Sequence, residues 1–122
     1  MKKFTYLFFM IISIVMASCH YNTIEFETPD IDPDQVIRFK TDIEPIFETQ
    51  NCTSCHNGAI TFSLSAGKAY QSIIGEQLID PADPEASLLL TVPGHDSHQP
   101  YTYTPHEKAL IQQWIEQGGQ NN

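Results

Sequence analysis

No methionine follows Met16 in this 122-residue chain, so the part long enough to fold offers no thioether to a metal. Cations are nearly as scarce. Lys and Arg number six against fifteen Asp and Glu. Two of the six are Lys2 and Lys3; beyond them only Arg38, Lys40, Lys68 and Lys108 oppose the fifteen acids, a net charge of about −11. Phosphate binding draws on clustered Lys and Arg, so nucleic acid is excluded as a partner class. A surface so acidic suits solubility and docking to basic protein partners. No stretch shows a convincing strand period, and the one long apolar run, from Phe4 to Ala17, is interrupted by Thr5 and Ser13 and is short for a bilayer span. Cysteine occurs only at Cys19, Cys52 and Cys55.

What the N-terminus does contain is a processing pattern. Lys2 and Lys3 precede the apolar run, and Met16-Ala17-Ser18-Cys19 closes it with small residues. The alternative is a short transmembrane anchor. Val15 to Cys19 resembles the lipobox of bacterial lipoproteins, in which the cysteine is acylated and becomes the new N-terminus. The resemblance implies a signal peptide over residues 1–18, lipid on Cys19 and a domain held at a membrane surface by its acyl chains. The protein is then expected in the cell envelope, lipid-anchored, at a periplasmic or outer-membrane face. The acidic segment that follows, with Pro29 and Pro33 and no clear period, reads as a flexible tether over residues 19–38.

The remainder, residues 39–122, reads as one small all-α domain. A first helix is expected over residues 42–50, with Asp42 as cap and Pro45 in the first turn. A second covers residues 67–74, where Ala69, Tyr70, Ile73 and Ile74 recur at helical spacing and Gly75 serves as stop. Pro84 opens a short helix capped by Asp83 and carrying Leu88, Leu89 and Leu90. Thr104-Pro105-His106-Glu107 is a capping box with proline at the first helical position. Leu110, Ile111, Trp114 and Ile115 then form one apolar face, ended by Gly118 and Gly119. So short a domain builds a thin core, and such domains draw on a staple, a metal or a cofactor.

The run Cys52-Thr53-Ser54-Cys55-His56 provides that chemistry. Two thiols three residues apart, followed at once by an imidazole, fit covalent haem attachment, with Cys52 and Cys55 as thioethers and His56 as proximal iron ligand. A thioredoxin-like redox pair needs a strand before the motif, and none is read here. A structural zinc site would find at most three ligands in the motif, with no second cysteine pair following. A Cys52–Cys55 disulfide would close a very small loop and stabilise little.

Three blocks carry a family resemblance. Asp42-Ile43-Glu44-Pro45-Ile46-Phe47 precedes the motif, the run from Asp80 to Leu89 follows it, and Leu110-Ile111-Gln112-Gln113-Trp114-Ile115 leads to the terminal Asn121 and Asn122. In this order they resemble class I-like cytochromes c, in particular the planctomycete-type cytochrome c domain of bacterial lipoproteins. The resemblance implies terminal helices packed beside one covalently bound haem c, and a distal methionine just before the last helix. Here that place reads Gly94-His95-Asp96-Ser97-His98-Gln99-Pro100, with Gln99 where the methionine belongs. His98 is the first candidate for the distal ligand and His95 the second; a second imidazole would stabilise ferric iron and lower the potential. Pro81 or Pro84 would orient His56 through a carbonyl, Tyr101 or Tyr103 would reach a propionate, and Trp114 and Phe47 read as core. The expectation is a monohaem electron carrier serving redox partner proteins of the envelope. The alternatives are a haem-based sensor or peroxidase-like enzyme with an open distal site, and a haem-free interaction module.

Overall fold

The computed structural model describes residues 31–59 and 61–122. The signal segment, Cys19 and most of the tether lie outside the described residues. Among the described residues the protein is all-α, with no strand, and no helix is long and apolar enough to cross a membrane.

The first helical stretch opens with a widened π turn, Phe39–Ile43, and continues as α1, Glu44–Thr49. Its start is three residues earlier than expected. Pro45 has no N–H to extend the usual ladder, and the Glu44 N–H bonds back to the Phe39 carbonyl across the wide turn. Asp42 therefore lies inside the helix rather than at its cap. From there its carboxylate accepts the Arg38 N–H at 2.7 Å, one of the donors a helix start leaves unpaired.

The second helix, α2, spans Ala69–Gly75. Gly75 ends within it, and the left-handed turn falls instead at Gln77, φ 55°. The Leu78 N–H bonds to the Ile73 carbonyl at 2.9 Å and the Gln77 N–H to the Ile74 carbonyl, the Schellman pattern. A non-glycine residue takes the strained position because the turn sends Leu78 back against the core. The run after Pro84 is likewise not one capped helix. It is a 3₁₀ turn, Pro84–Ala86, and a separate short helix α3, Leu88–Thr91, with no side-chain cap from Asp83. Ser87 divides them in extended conformation (ψ 132°); it is buried, and its hydroxyl accepts the Asp80 N–H at 2.9 Å.

The last helix, α4, spans Pro105–Glu116 and begins with the capping box the sequence indicates. The Thr104 hydroxyl accepts the Glu107 N–H at 3.2 Å and the Glu107 carboxylate accepts the Thr104 N–H at 2.8 Å. Gly118 (φ 94°) ends the helix in a second Schellman turn, the Gly119 N–H reaching the Trp114 carbonyl at 2.9 Å. Gly119 is left-handed as well, at φ 59°, where a side chain would be strained.

One core joins these elements. Ile43 and Phe47 from the first helix, Ile73 from α2, and Ile111, Trp114 and Ile115 from α4 are all buried. Phe39, Tyr70 and Trp114 form an aromatic cluster, with Phe39 5.2 Å from Trp114 and 5.3 Å from Tyr70. The end of the segment read as tether joins this core: Ile37 is 1 % exposed. The Ile37 N–H donates to Gln117 Oε1 at 2.9 Å, Gln117 Nε2 donates to the Gln35 carbonyl at 2.7 Å, and Gln113 Nε2 reaches the Gln35 and Asp32 carbonyls, each at 3.0 Å. Asn122 closes the arrangement by accepting the Phe39 N–H on Oδ1 at 2.9 Å. These pairings satisfy backbone groups that no helix or strand serves, and they seat residues 31–38 on α4.

Glu107 gives the fold a pH dependence. Desolvation acts to raise its carboxyl value, but hydrogen bonds from the Gln50 side chain and from Thr104, with His106 nearby, outweigh it and hold the value below the usual 4.5. A folded value below the unfolded one contributes stability that is present in full above the unfolded value and is lost as pH falls through the folded one. The stability difference between the wild type and Glu107→Gln is therefore expected to be largest above about pH 4.5 and to shrink steadily below it. Urea-unfolding midpoints of both proteins across acid pH measure this; a difference constant with pH would refute it.

Candidate functional site

The motif follows directly from α1. Asn51, in left-handed conformation at φ 58°, turns the chain into a 3₁₀ turn, Cys52–Ser54, and the His56 N–H closes onto the Cys52 carbonyl at 2.9 Å. The two thiols and the imidazole are thus displayed within little more than one turn. Cys52 is half-buried and Cys55 exposed, both as free thiols. Burial raises the Cys52 thiol value, a backbone hydrogen bond acting against it and Glu107 with it.

They line a cavity of about 440 Å³, within the ~300–1,000 Å³ range of small-molecule and cofactor sites. Its walls are mostly apolar, among them Phe62, Leu64, Leu78, Leu89 and Pro93. Leu88 and Val92, also on the wall, are 50 % and 39 % exposed. In a small domain short of apolar side chains, two such residues turned toward one concave surface indicate an apolar occupant.

His98 stands in this cavity with His56. The two rings are nearly parallel, 16° apart, with centroids 6.1 Å from each other. The loop carrying His98 is tightly bonded. Gly94, at φ 87°, donates its N–H to the carbonyls of His98 and Tyr101 at 3.1 and 2.9 Å, and the His98 N–H reaches the His95 carbonyl at 2.8 Å. His95 faces elsewhere: it is exposed and lines a separate cavity of about 330 Å³ with Thr91, Thr102 and Lys108. The structure therefore separates the two distal candidates, bringing only His98 to the wall shared with His56.

Each imidazole has a hydroxyl at Nδ1, Thr61 Oγ1 at 3.1 Å from that of His56 and Ser97 Oγ at 3.3 Å from that of His98. This leaves Nε2 as the nitrogen free to bind in both rings. Phe62 stacks on His56 at 4.4 Å. Burial holds the His56 value below its ordinary one, proximity to His98 adds to this, and a hydrogen bond with the Phe62 backbone acts the other way. Burial thus favours the neutral ring, the state a metal ligand needs.

Thr61 and Phe62 take the place expected for Pro81 or Pro84, neither of which lines the cavity. They reach His56 through a small loop. The Leu64 N–H bonds to the His56 carbonyl at 2.7 Å, Asn57 and Ser63 form a single antiparallel bridge, and Gly58 turns the chain at φ 87°. The sequence signal available was Asn57-Gly58, a strong turn pair, which folds the following residues back on the motif. Tyr101 and Tyr103 both line the cavity; burial, then Cys52 and Glu107, push the Tyr103 phenol well above its ordinary value, so it remains an O–H donor. Trp114 and Phe47 belong to the core, as read.

Among the described residues no group of three or more His, Cys, Asp or Glu side chains gathers to hold a bare metal ion. Comparison with known proteins gives no match: no family, no curated protein and no solved structure aligns with the chain.

Proposed function

We propose that this protein is a monohaem c-type cytochrome that carries single electrons in the cell envelope, tethered through lipid on Cys19. The observation that carries the reading is the nearly parallel His56–His98 pair, ring centroids 6.1 Å apart, on the wall of an apolar cavity that Cys52 and Cys55 also line. The resemblance of the chain to planctomycete-type cytochrome c domains points the same way, and His98 accounts for the methionine that those domains carry and this one lacks.

In this reading Cys52 and Cys55 hold haem c by thioether bonds, which retain it in a domain with a thin core. When bound, haem supplies a one-electron ferric–ferrous couple. His56 and His98 would hold the iron through their nitrogens, and a pair of imidazole ligands would favour its ferric state. Phe62, Leu64, Leu78, Leu88, Leu89 and Val92 line the cavity and would limit the access of water to a group bound there. Tyr101 and Tyr103 offer phenol donors to the propionates. The acidic surface favours a redox partner with a basic docking face.

The test is an absorption spectrum of the protein made alongside the c-type maturation machinery, ferric and then reduced. Sharp α and β bands on reduction are expected, with haem that survives denaturation and is lost from the Cys52→Ser, Cys55→Ser double variant. Broad high-spin bands shifted at once by cyanide would favour a sensor or peroxidase with an open distal face. Absence of covalent haem from the wild type would overturn the reading.

A further inference from the structure

We propose that Thr61 is a positioning residue that fixes the tautomer of His56 and sets the reduction potential of the iron bound there; the tuning role rests on the haem reading above. The order of protons follows from the acceptors. The Phe62 carbonyl can only accept, and it draws on the protonated His56 ring as well as on the Thr61 hydroxyl 3.3 Å away; with the His56 proton on Nδ1, the hydroxyl donates to that carbonyl. Having spent its one proton there, Thr61 Oγ1 accepts from His56 Nδ1 at 3.1 Å. His56 is then the Nδ1–H tautomer, with Nε2 bare.

Three further contacts hold this relay still. The Leu64 N–H on the His56 carbonyl at 2.7 Å closes the loop that returns Thr61 to the ring. The Ser63 N–H donates to Ser72 Oγ at 3.2 Å, pinning the loop to α2. Phe62, stacked at 4.4 Å and 29°, limits rotation of the imidazole. A hydrogen bond given by Nδ1–H raises the electron density of the ring and its basicity as a ligand, which favours ferric over ferrous iron. The carbonyl behind Thr61 strengthens the hydroxyl as an acceptor by polarising it. Thr61 thus acts on the iron through His56, without touching it.

The experiment compares wild type, Thr61→Val and Thr61→Ser as full-length, haem-loaded proteins, by spectroelectrochemical titration and by exchange of the His56 Nδ1 proton in NMR spectra. Valine keeps the shape of threonine and removes the hydroxyl; serine keeps the hydroxyl and removes the methyl. Thr61→Val is expected to lower the ferric-to-ferrous ratio at fixed poise about tenfold, an upward shift of about 59 mV for one electron, and to speed exchange of the Nδ1 proton. Thr61→Ser is expected to match the wild type in both. Unchanged potential and exchange in Thr61→Val would overturn the proposal, and so would a serine variant shifted as far as the valine one, because packing of the methyl would then be the cause. Should the purified chain carry no haem, the haem reading fails on its own. The ¹⁵N spectrum of the same chain then decides the relay: Nδ1–H in His56 supports it, and Nε2–H in the wild type overturns it.

Discussion

With haem bound as proposed, His98→Ala is expected to convert a low-spin ferric spectrum to a high-spin one and to open the iron to cyanide, azide and added imidazole. His95→Ala is expected to change neither. The contrast follows from the loop between Gly94 and Tyr101, which places His98 nearly parallel to His56 at 6.1 Å while His95 lines a different cavity. The loop is bonded through its backbone, by Gly94 N–H to the carbonyls of His98 and Tyr101, so removing the imidazole leaves the chain path intact and the face vacant. No methionine beyond Met16 is available to replace it. Loss of the second nitrogen donor also removes stabilisation of ferric iron, and the midpoint potential should rise. Added imidazole should restore the low-spin bands, since it refills the space left by the side chain. A low-spin, ligand-inert spectrum in His98→Ala would mean that another residue closes the distal face.

The second large effect concerns the fold and is independent of any cofactor chemistry. Trp114→Ala is expected to cost about 3–5 kcal/mol of stability, a large share of the ~5–15 kcal/mol that a whole domain commands. Trp114 is 1 % exposed and packs on Phe39 at 5.2 Å and Tyr70 at 6.5 Å. It is thus the ring through which α4 holds the first helix and α2. Its indole Nε1 donates to the Gln120 carbonyl at 2.9 Å, tying down the chain just beyond the helix. Trp114→Phe should retain most of the packing, with the lost hydrogen bond adding about 1 kcal/mol to the cost of the smaller ring. Urea unfolding followed by circular dichroism measures both. An alanine variant within 1 kcal/mol of the wild type would show that the aromatic cluster does not hold the helices together.

How far the chain could be read in advance varied with the range of the interactions involved. The Thr104–Glu107 capping box and the Gly118 stop were legible because a cap and a left-handed turn depend on neighbours three or four residues away. The apolar face of α4 was legible from its period, and Ile111, Trp114 and Ile115 are buried. The stop of α2 was not. Gly75 is the obvious left-handed residue, yet the turn falls at Gln77, because the position is set by where Leu78 meets the core. Residues 31–38 looked like tether by composition, and what seats them is the side-chain amides of Gln113 in α4 and Gln117 just past its end, about eighty positions away. No local pattern announces such a pairing.

The site divides in the same way. Cys52, Cys55 and His56 are consecutive enough that sequence alone determined their joint display, since one turn of chain carries all three. Sequence also determined the helical class, the acidic character and the want of any methionine beyond Met16. Only the tertiary structure separated His98 from His95, three residues apart in one short loop, by bringing His98 to the cavity that His56 lines and His95 to another. It also put Thr61 rather than a proline at Nδ1 of His56, by folding the chain back through Asn57 and Gly58. Covalent spacing and helical period are properties of neighbours along the chain. Which imidazole faces which, and which hydroxyl reaches it, are properties of loops whose paths are set by the packing around them.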